Sequence, residues 1–157
     1  MTHPGYIDRF YQDIDVNKVE RVDGFEVTKE DTIAFAEMWD QMDFHMDEEK
    51  AKASAHGALI APGTMTLAIR IKLLQSQGIN RRVLASGGYD EIRFAKPLYV
   101  GDTVHLETKC IDKRLSNSKP GMGVCRLYSK MFNQDNEPVL TMFDTILVEV
   151  DPDRPAE

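Results

Sequence analysis

The stretch that decides the fold is GTMTLAIRIKLLQSQG, Gly63 to Gly78. Met65, Leu67, Ala68, Ile69, Ile71, Leu73 and Leu74 are spread around most of a helical circumference, so this helix predicts a largely buried rod. About 14 residues of helix measure about 21 Å. Gly78 supplies the glycine that stops it. The segments that follow supply its cover, because residues 83–150 read as strands. In TVHLETKCID, Val104, Leu106, Thr108 and Cys110 share one face and His105, Glu107 and Lys109 the other. Pro97 and Gly101-Asp102 punctuate the chain before it. SNSKPGMG, residues 116–123, is a turn cluster between two long strands and predicts a hairpin. GVCRLYSKMF and PVLTMFDTILVEV complete an antiparallel set, with Asn136 and Glu137 in the turn before Pro138. One buried helix beside four or five strands predicts an α+β fold, a curved antiparallel sheet wrapped around that helix.

Upstream, Thr28-Lys-Glu-Asp31 resembles a capping box and opens TKEDTIAFAEMWD. Ile33, Phe35, Ala36 and Trp39 give that helix an apolar face. Asp47 is placed to cap a second short helix, EEKAKASA, with acids in its first turn and lysines after them. The first twenty residues mix aromatic and polar side chains without periodicity, and Tyr6, Phe10 and Tyr11 are expected to pack on the body. The last seven, DPDRPAE, carry two prolines and four charges and predict a frayed tail. Residues 1–157 read as one domain, with 151–157 as that tail.

Composition narrows the function. Of 157 residues, 42% are hydrophobic and 29% charged, the balance of a globular protein with a real core. The net charge of −7 argues against sequence-independent nucleic-acid binding, which needs a basic footprint, and against adhesion to anionic membranes. No apolar run approaches the ~18 residues of a membrane span. No basic segment followed by an apolar stretch opens the chain, so no signal peptide is expected. Cys110 and Cys125 lack metal-binding spacing and read as small apolar side chains in strands, in a reducing cytoplasm.

Chemistry concentrates in WDQMDFHMD, Trp39 to Asp47. Asp40 ends an apolar helix and His45 follows five residues later, in what reads as a loop. A carboxylate and an imidazole can share and deprotonate a water near neutral pH. The buried helix starts at Gly63, where free N–H groups and the positive end of the dipole collect, and glycine admits close approach. Together these describe a water-activating pair facing an oxyanion site. The plainer reading of the same residues has Asp40 solvating a helix end, His45 as a satisfied loop histidine and Pro62-Gly63 as a simple turn. Other features divide the same way. Met38, Met42, Met46 and Met65 line an acyl pocket or fill core. Arg81, Arg82, Lys113, Arg114 and Lys119 meet nucleotide phosphates or stay solvated. Trp39 shields the site or anchors its helix. His3, His56 and His105 are structural or exposed.

Three motifs in order make the chain resemble the MaoC-like dehydratase group of the hotdog superfamily, which includes R-specific enoyl-CoA hydratases. They are FAEMWDQMDFHMDEEKAKASAHGALIAPG (Phe35 to Gly63), RFAKPLYVGDTV (Arg93 to Val104), and Ser116-Asn-Ser118-Lys-Pro followed by Gly123. The resemblance spans roughly residues 25–150. It implies a hotdog fold and a homodimer or higher homo-oligomer, with pantetheine threading a channel near the subunit interface. It implies that Asp40 and His45 bind and polarise the water added to a 2-enoyl thioester. It implies that Gly63 N–H, with Thr64 beside it, receives the thioester carbonyl. No cofactor is implied; coenzyme A or the phosphopantetheine of an acyl carrier belongs to the substrate. The chain departs from the group's pattern at Met42-Asp43, where Asn-Pro or Gln-Pro is usual, and at Pro62, where His or Ser often stands. Asp43 puts a second carboxylate near His45. The alternatives are an acyl-thioester hydrolase and a non-catalytic acyl-CoA-binding hotdog protein.

Overall fold

The computed structural model describes residues 5–156. In chain order it forms β1 (Ile7–Arg9), a single 3-10 turn (Tyr11–Asp13), β2 (Val19–Glu26), α1 (Lys29–Trp39), the one-turn α2 (Asp43–Met46), α3 (Glu48–Ala53), α4 (Gly63–Gln75), β3 (Ile79–Arg81), β4 (Val83–Arg93), β5 (Thr103–Leu115), β6 (Met122–Phe132) and β7 (Pro138–Glu149). Five strands make an antiparallel sheet in the order β2-β5-β6-β7-β4. β1 and β3 pair in parallel as a small second sheet. This is the α+β hotdog architecture that the sequence predicts.

The expected alternation in β5 is present, with Val104, Leu106, Thr108 and Cys110 all buried. Val104 and Leu106, Met131 of β6, and Leu140 and Met142 of β7 pack against Met65, Ile69 and Leu73 of α4. Each such side chain contributes roughly 1.5–3 kcal/mol when fully buried, so this layer is the main apolar driving force. The hairpin at residues 116–121 joins β5 to β6 as expected. Thr28 caps α1, its Oγ1 accepting from Asp31 N at 3.1 Å. Asp47 caps α3, accepting from Glu49 N and Lys50 N, both at 3.0 Å.

Three expectations need correcting. α4 is not covered all round: Thr64, Ala68, Ile71 and Gln75 lie exposed along one side, while Arg70 is buried. Residues 19–26 form a strand that periodicity did not reveal. β2 carries four charges among its eight residues and is bulged between Val22 and Phe25, where Gly24 takes a positive φ of 90°. Trp39 points outward, 70% exposed, and anchors nothing.

A second, smaller core lies under the 3-10 turn. Tyr11 packs there with Cys110, Cys125, Ile146 and Val148. Both cysteines are buried and free, as small apolar side chains would be. Tyr11 can lie flat on β6 because Gly123 has no side chain. A Cβ there would sit 2.6 Å from Tyr11 Cε2 and 2.8 Å from Cγ. The same turn grips the segment after β7. Arg154 Nη1 and Nη2 donate to the two carboxylate oxygens of Asp13 at 2.7 and 2.9 Å. Gln12 and Asp151 exchange two further hydrogen bonds. The reading of a loose tail did not anticipate these contacts. His3 lies outside the described residues.

Gly123→Ala should lift the 3-10 turn and cost about 1–3 kcal/mol, since the clash reaches the base of the ring and not a flexible tip; urea unfolding measures it. Arg154's hydrogen bonds hold the Asp13 carboxyl below its ordinary range, against the opposing effect of burial. A carboxyl lowered on folding stabilises above its unfolded pKa and loses that contribution as pH falls through the folded one. The gap in melting temperature between wild type and Asp13→Asn should therefore be full at pH 6 and close progressively below about pH 4. A gap that widens in acid contradicts the clasp.

Candidate functional site

The site is assembled by two short backbone pairings. Residues 59–61 run alongside residues 98–100: Ala61 N donates to Leu98 O at 2.7 Å and Val100 N to Leu59 O at 3.1 Å. This fixes the chain entering α4 at Pro62 and Gly63. Tyr99 N is held in turn by Asp102 Oδ2 at 2.9 Å, and the Tyr99 hydroxyl donates to His56 O at 3.1 Å. On the other side Ile60 N donates to Phe44 O at 3.3 Å, tying α2 to the same strip.

α2 places His45. The sequence suggested a loop here; the residue sits instead in a single helical turn, with His45 N donating to Met42 O at 2.9 Å. His45 is 5% exposed. Its Nδ1 lies 2.7 Å from Ile60 O. A carbonyl only accepts, so Nδ1 donates, and in the neutral ring Nε2 carries the lone pair. Nε2 faces Asp40 Oδ2 at 3.7 Å, too long for a direct hydrogen bond and suited to sharing one water. Asp40 ends α1, its N–H bonded to Ala36 O at 2.9 Å. Its carboxylate accepts no hydrogen bond from the described residues and is 39% exposed. The pair is thus one buried imidazole and one wet carboxylate.

Gly63 opens α4, so its N–H has no carbonyl one turn earlier within the helix. Ile60, which orients His45, is three residues away, about 10 Å of extended chain. The ring of Phe94 lies directly over Gly63: a Cβ there would stand 2.8 Å from two of its carbons. Thr64 is exposed on the first turn, whereas Thr66 is buried and donates back to Pro62 O at 3.4 Å. Glycine is therefore needed here for close packing of an aromatic ring against the helix end.

Other sequence candidates are dispersed. Asp43 turns away from His45 and pairs with Lys50 Nζ at 2.9 Å, on the surface. Met38 and Met42 are exposed while Met65 is core, so the methionines do not line one pocket. Arg82 binds Glu149, Arg81 binds Glu20 and the carbonyl of Leu74, and Lys113 donates to the carbonyls of Tyr11 and Ile14. These three cations are engaged within the protein. His56 tilts against Phe44 with ring centroids 5.0 Å apart, and His105 stacks on Phe132 at 4.9 Å. Burial first, then the charge of Arg21, holds His105 below the usual histidine range.

Two participants escaped the sequence reading. Ile60 acts through its carbonyl, which no side-chain pattern announces. Phe94 stands inside the RFAKP motif, but only the coordinates put its ring against Gly63.

Comparison with known proteins is consistent in direction. A family model described as the MaoC like domain matches residues 13–125. The chain is 27% identical to the uncharacterized protein YdeM of Bacillus subtilis (strain 168) over 135 residues, covering 85% of this chain and 94% of that protein. A MaoC-like dehydratase from Rhodospirillum rubrum superposes with a TM-score of 0.84 at 29% identity, covering 92% of this chain and 99% of the other. The R-hydratase PhaJ1 from Pseudomonas aeruginosa shares the fold, with a TM-score of 0.73, 20% identity and coverage of 94% and 95%.

The hydrogen bond from Nδ1 makes a spectroscopic prediction. A long-range proton–nitrogen correlation spectrum at alkaline pH should show His45 as a single neutral tautomer, protonated at Nδ1 and bare at Nε2. The opposite tautomer, or an average of both, contradicts the assigned role of Ile60.

Proposed function

Because the chain belongs to the MaoC-like domain family, we propose that it catalyses the reversible hydration of a 2-enoyl thioester, carried on coenzyme A or an acyl carrier protein. The observation that carries this reading is the arrangement of His45: Nδ1 fixed by Ile60 O at 2.7 Å, Nε2 held 3.7 Å from Asp40 Oδ2. A water between them gives one proton to Nε2 while Asp40 holds the other. Its oxygen bonds to C3 of the enoyl group. The C2=C3 electrons move toward the thioester carbonyl, whose oxygen takes on negative charge. Gly63 N–H and the start of α4 receive that charge. The proton on Nε2 then passes to C2, on the face from which water came, and the pair is restored. Thr64 borders the thioester, and Phe94 packs beside its carbonyl site.

The reading includes a homodimer. β4 is an edge strand, paired only to β7 within the chain, and all but one of its eleven residues are exposed. Leu84 at 50% and Val83 at 42% would be left in water. Pairing β4 with its copy removes the edge. Two similarities support the hydratase reading: the family match, and the dehydratase named among the structural relatives.

The test is turnover of crotonyl-CoA followed by loss of enone absorbance, with free thiol measured in parallel. A general base contributes ~10²–10⁴ in rate, so Asp40→Asn and His45→Ala should each lower kcat at least about a hundredfold. Their circular dichroism should match wild type. Wild-type rates in both variants, or release of thiol in place of enone loss, would sink the assignment.

A further inference from the structure

Arg70 sits midway along α4 and is 1% exposed. Burying a guanidinium is costly unless its donors are satisfied. Nε donates to Ser129 Oγ at 3.0 Å and Nη2 to Asp144 Oδ2 at 3.1 Å. Ser129 is braced by Thr108 at 3.2 Å, and Asp144 Oδ1 accepts from Ser86 at 3.4 Å. Nη1, with two N–H groups, has no acceptor among the described residues. Yet among those residues no sealed side-chain nitrogen lacks a partner. Arg70 is also one of the residues that line an adjoining cavity.

That space is a cavity of about 530 Å³ between the second half of α4, the sheet and the segment around Arg9 and Ile14. It has the size of a small-molecule site. Ile71, Leu74, Leu127 and Ile146 give it apolar walls. Five cationic side chains line it against three carboxylates, in a chain whose net charge is −7. Arg9 and Arg81 share the single carboxylate of Glu20. Burial, and then the nearby charges of Arg9 and Arg70, pull the Arg81 guanidinium below its ordinary value despite Glu20. The cavity is short of negative charge.

Its position relates it to the helix start. Gly63, Leu67, Arg70 and Leu74 fall on one face of α4, at spacings of four, three and four. Arg70 lies two turns beyond Gly63, about 10.5 Å along the axis. That distance is close to the length of an extended acyl chain of about eight or nine carbons whose thioester carbonyl rests at Gly63.

We infer that the cavity receives a carboxylate at the distal end of the acyl chain, so that the protein selects ω-carboxyacyl thioesters and Arg70 is the selecting residue. This rests on the thioester reading above. The apolar walls accommodate the methylenes; Nη1 of Arg70 donates to the terminal carboxylate.

The test compares two substrates of equal length on the full chain: 2-octenoyl-CoA and its ω-carboxy analogue, 2-octenedioyl-CoA. Wild type should favour the analogue in kcat/KM by roughly tenfold or more, the worth of one charge-assisted hydrogen bond. In Arg70→Met combined with Asp144→Leu, which removes both buried charges together, that ratio should fall to one or below; Arg70→Lys should keep part of it. Equal or reversed preference in wild type overturns the inference, and so does a ratio that survives in the double variant. Should the double variant not fold, the wild-type ratio decides alone. Calorimetry on wild type with octanoyl-CoA and suberyl-CoA, neither of which can be hydrated, separates this inference from the hydration reading. Absence of turnover with tighter binding of suberyl-CoA removes hydration and keeps the carboxylate site. Equal binding of the two removes the site.

Discussion

The structure depends on one constraint: the apolar side of α4 must be kept from water. Met65, Ile69 and Leu73 cannot be left exposed, and only a curved surface contacts a cylinder along its length. The inward residues of β5, β6 and β7 provide that surface. Once α4 is held against the sheet, its first turn is fixed in space. The strip Leu59–Ala61, pinned to residues 98–100, then has one place to run, and Ile60 presents its carbonyl to His45. The geometry at the helix start follows from the packing of the helix middle.

Much of this was legible in the sequence because it is written in periodicity and caps. The alternation of Val104, Leu106, Thr108 and Cys110 signalled a strand with one buried face. Thr28 and Asp47 marked helix starts by the chemistry of their side chains. The spacing of Asp40 and His45 pointed to a carboxylate beside an imidazole, and the structure brings the two within 3.7 Å. What was illegible has physical reasons. β2 hides its strand character because four charges and a bulge at Gly24 break the alternation of apolar side chains. Ile60 contributes a backbone carbonyl, and every residue but proline carries the same groups on the main chain. Arg70 looks from the sequence like the polar interruption of an amphipathic helix. Its burial emerges only because Asp144 and Ser129, more than fifty residues away, arrive beside it.

The contrast between two carboxylate pairings, Asp40 with His45 and Asp144 with Arg70, is instructive. Asp40 is wet and stands off from its histidine, an arrangement that leaves room for a third party. Asp144 is buried and bonded directly to Arg70, which fixes the guanidinium and leaves only one of its edges to spare. Low dielectric strengthens the second pair and makes it rigid. The first pair is thus spaced to share a water, and the second is locked by direct bonds.

The clasp between Gln12 and Asp13 on one side and Asp151 and Arg154 on the other brings the segment after β1 beside the segment after β7. A short peptide joining them would span little distance. New ends opened at the exposed 116–121 hairpin would then leave the β-sheet order and the helix start untouched. In principle this fold can be circularly rearranged without disturbing its chemistry.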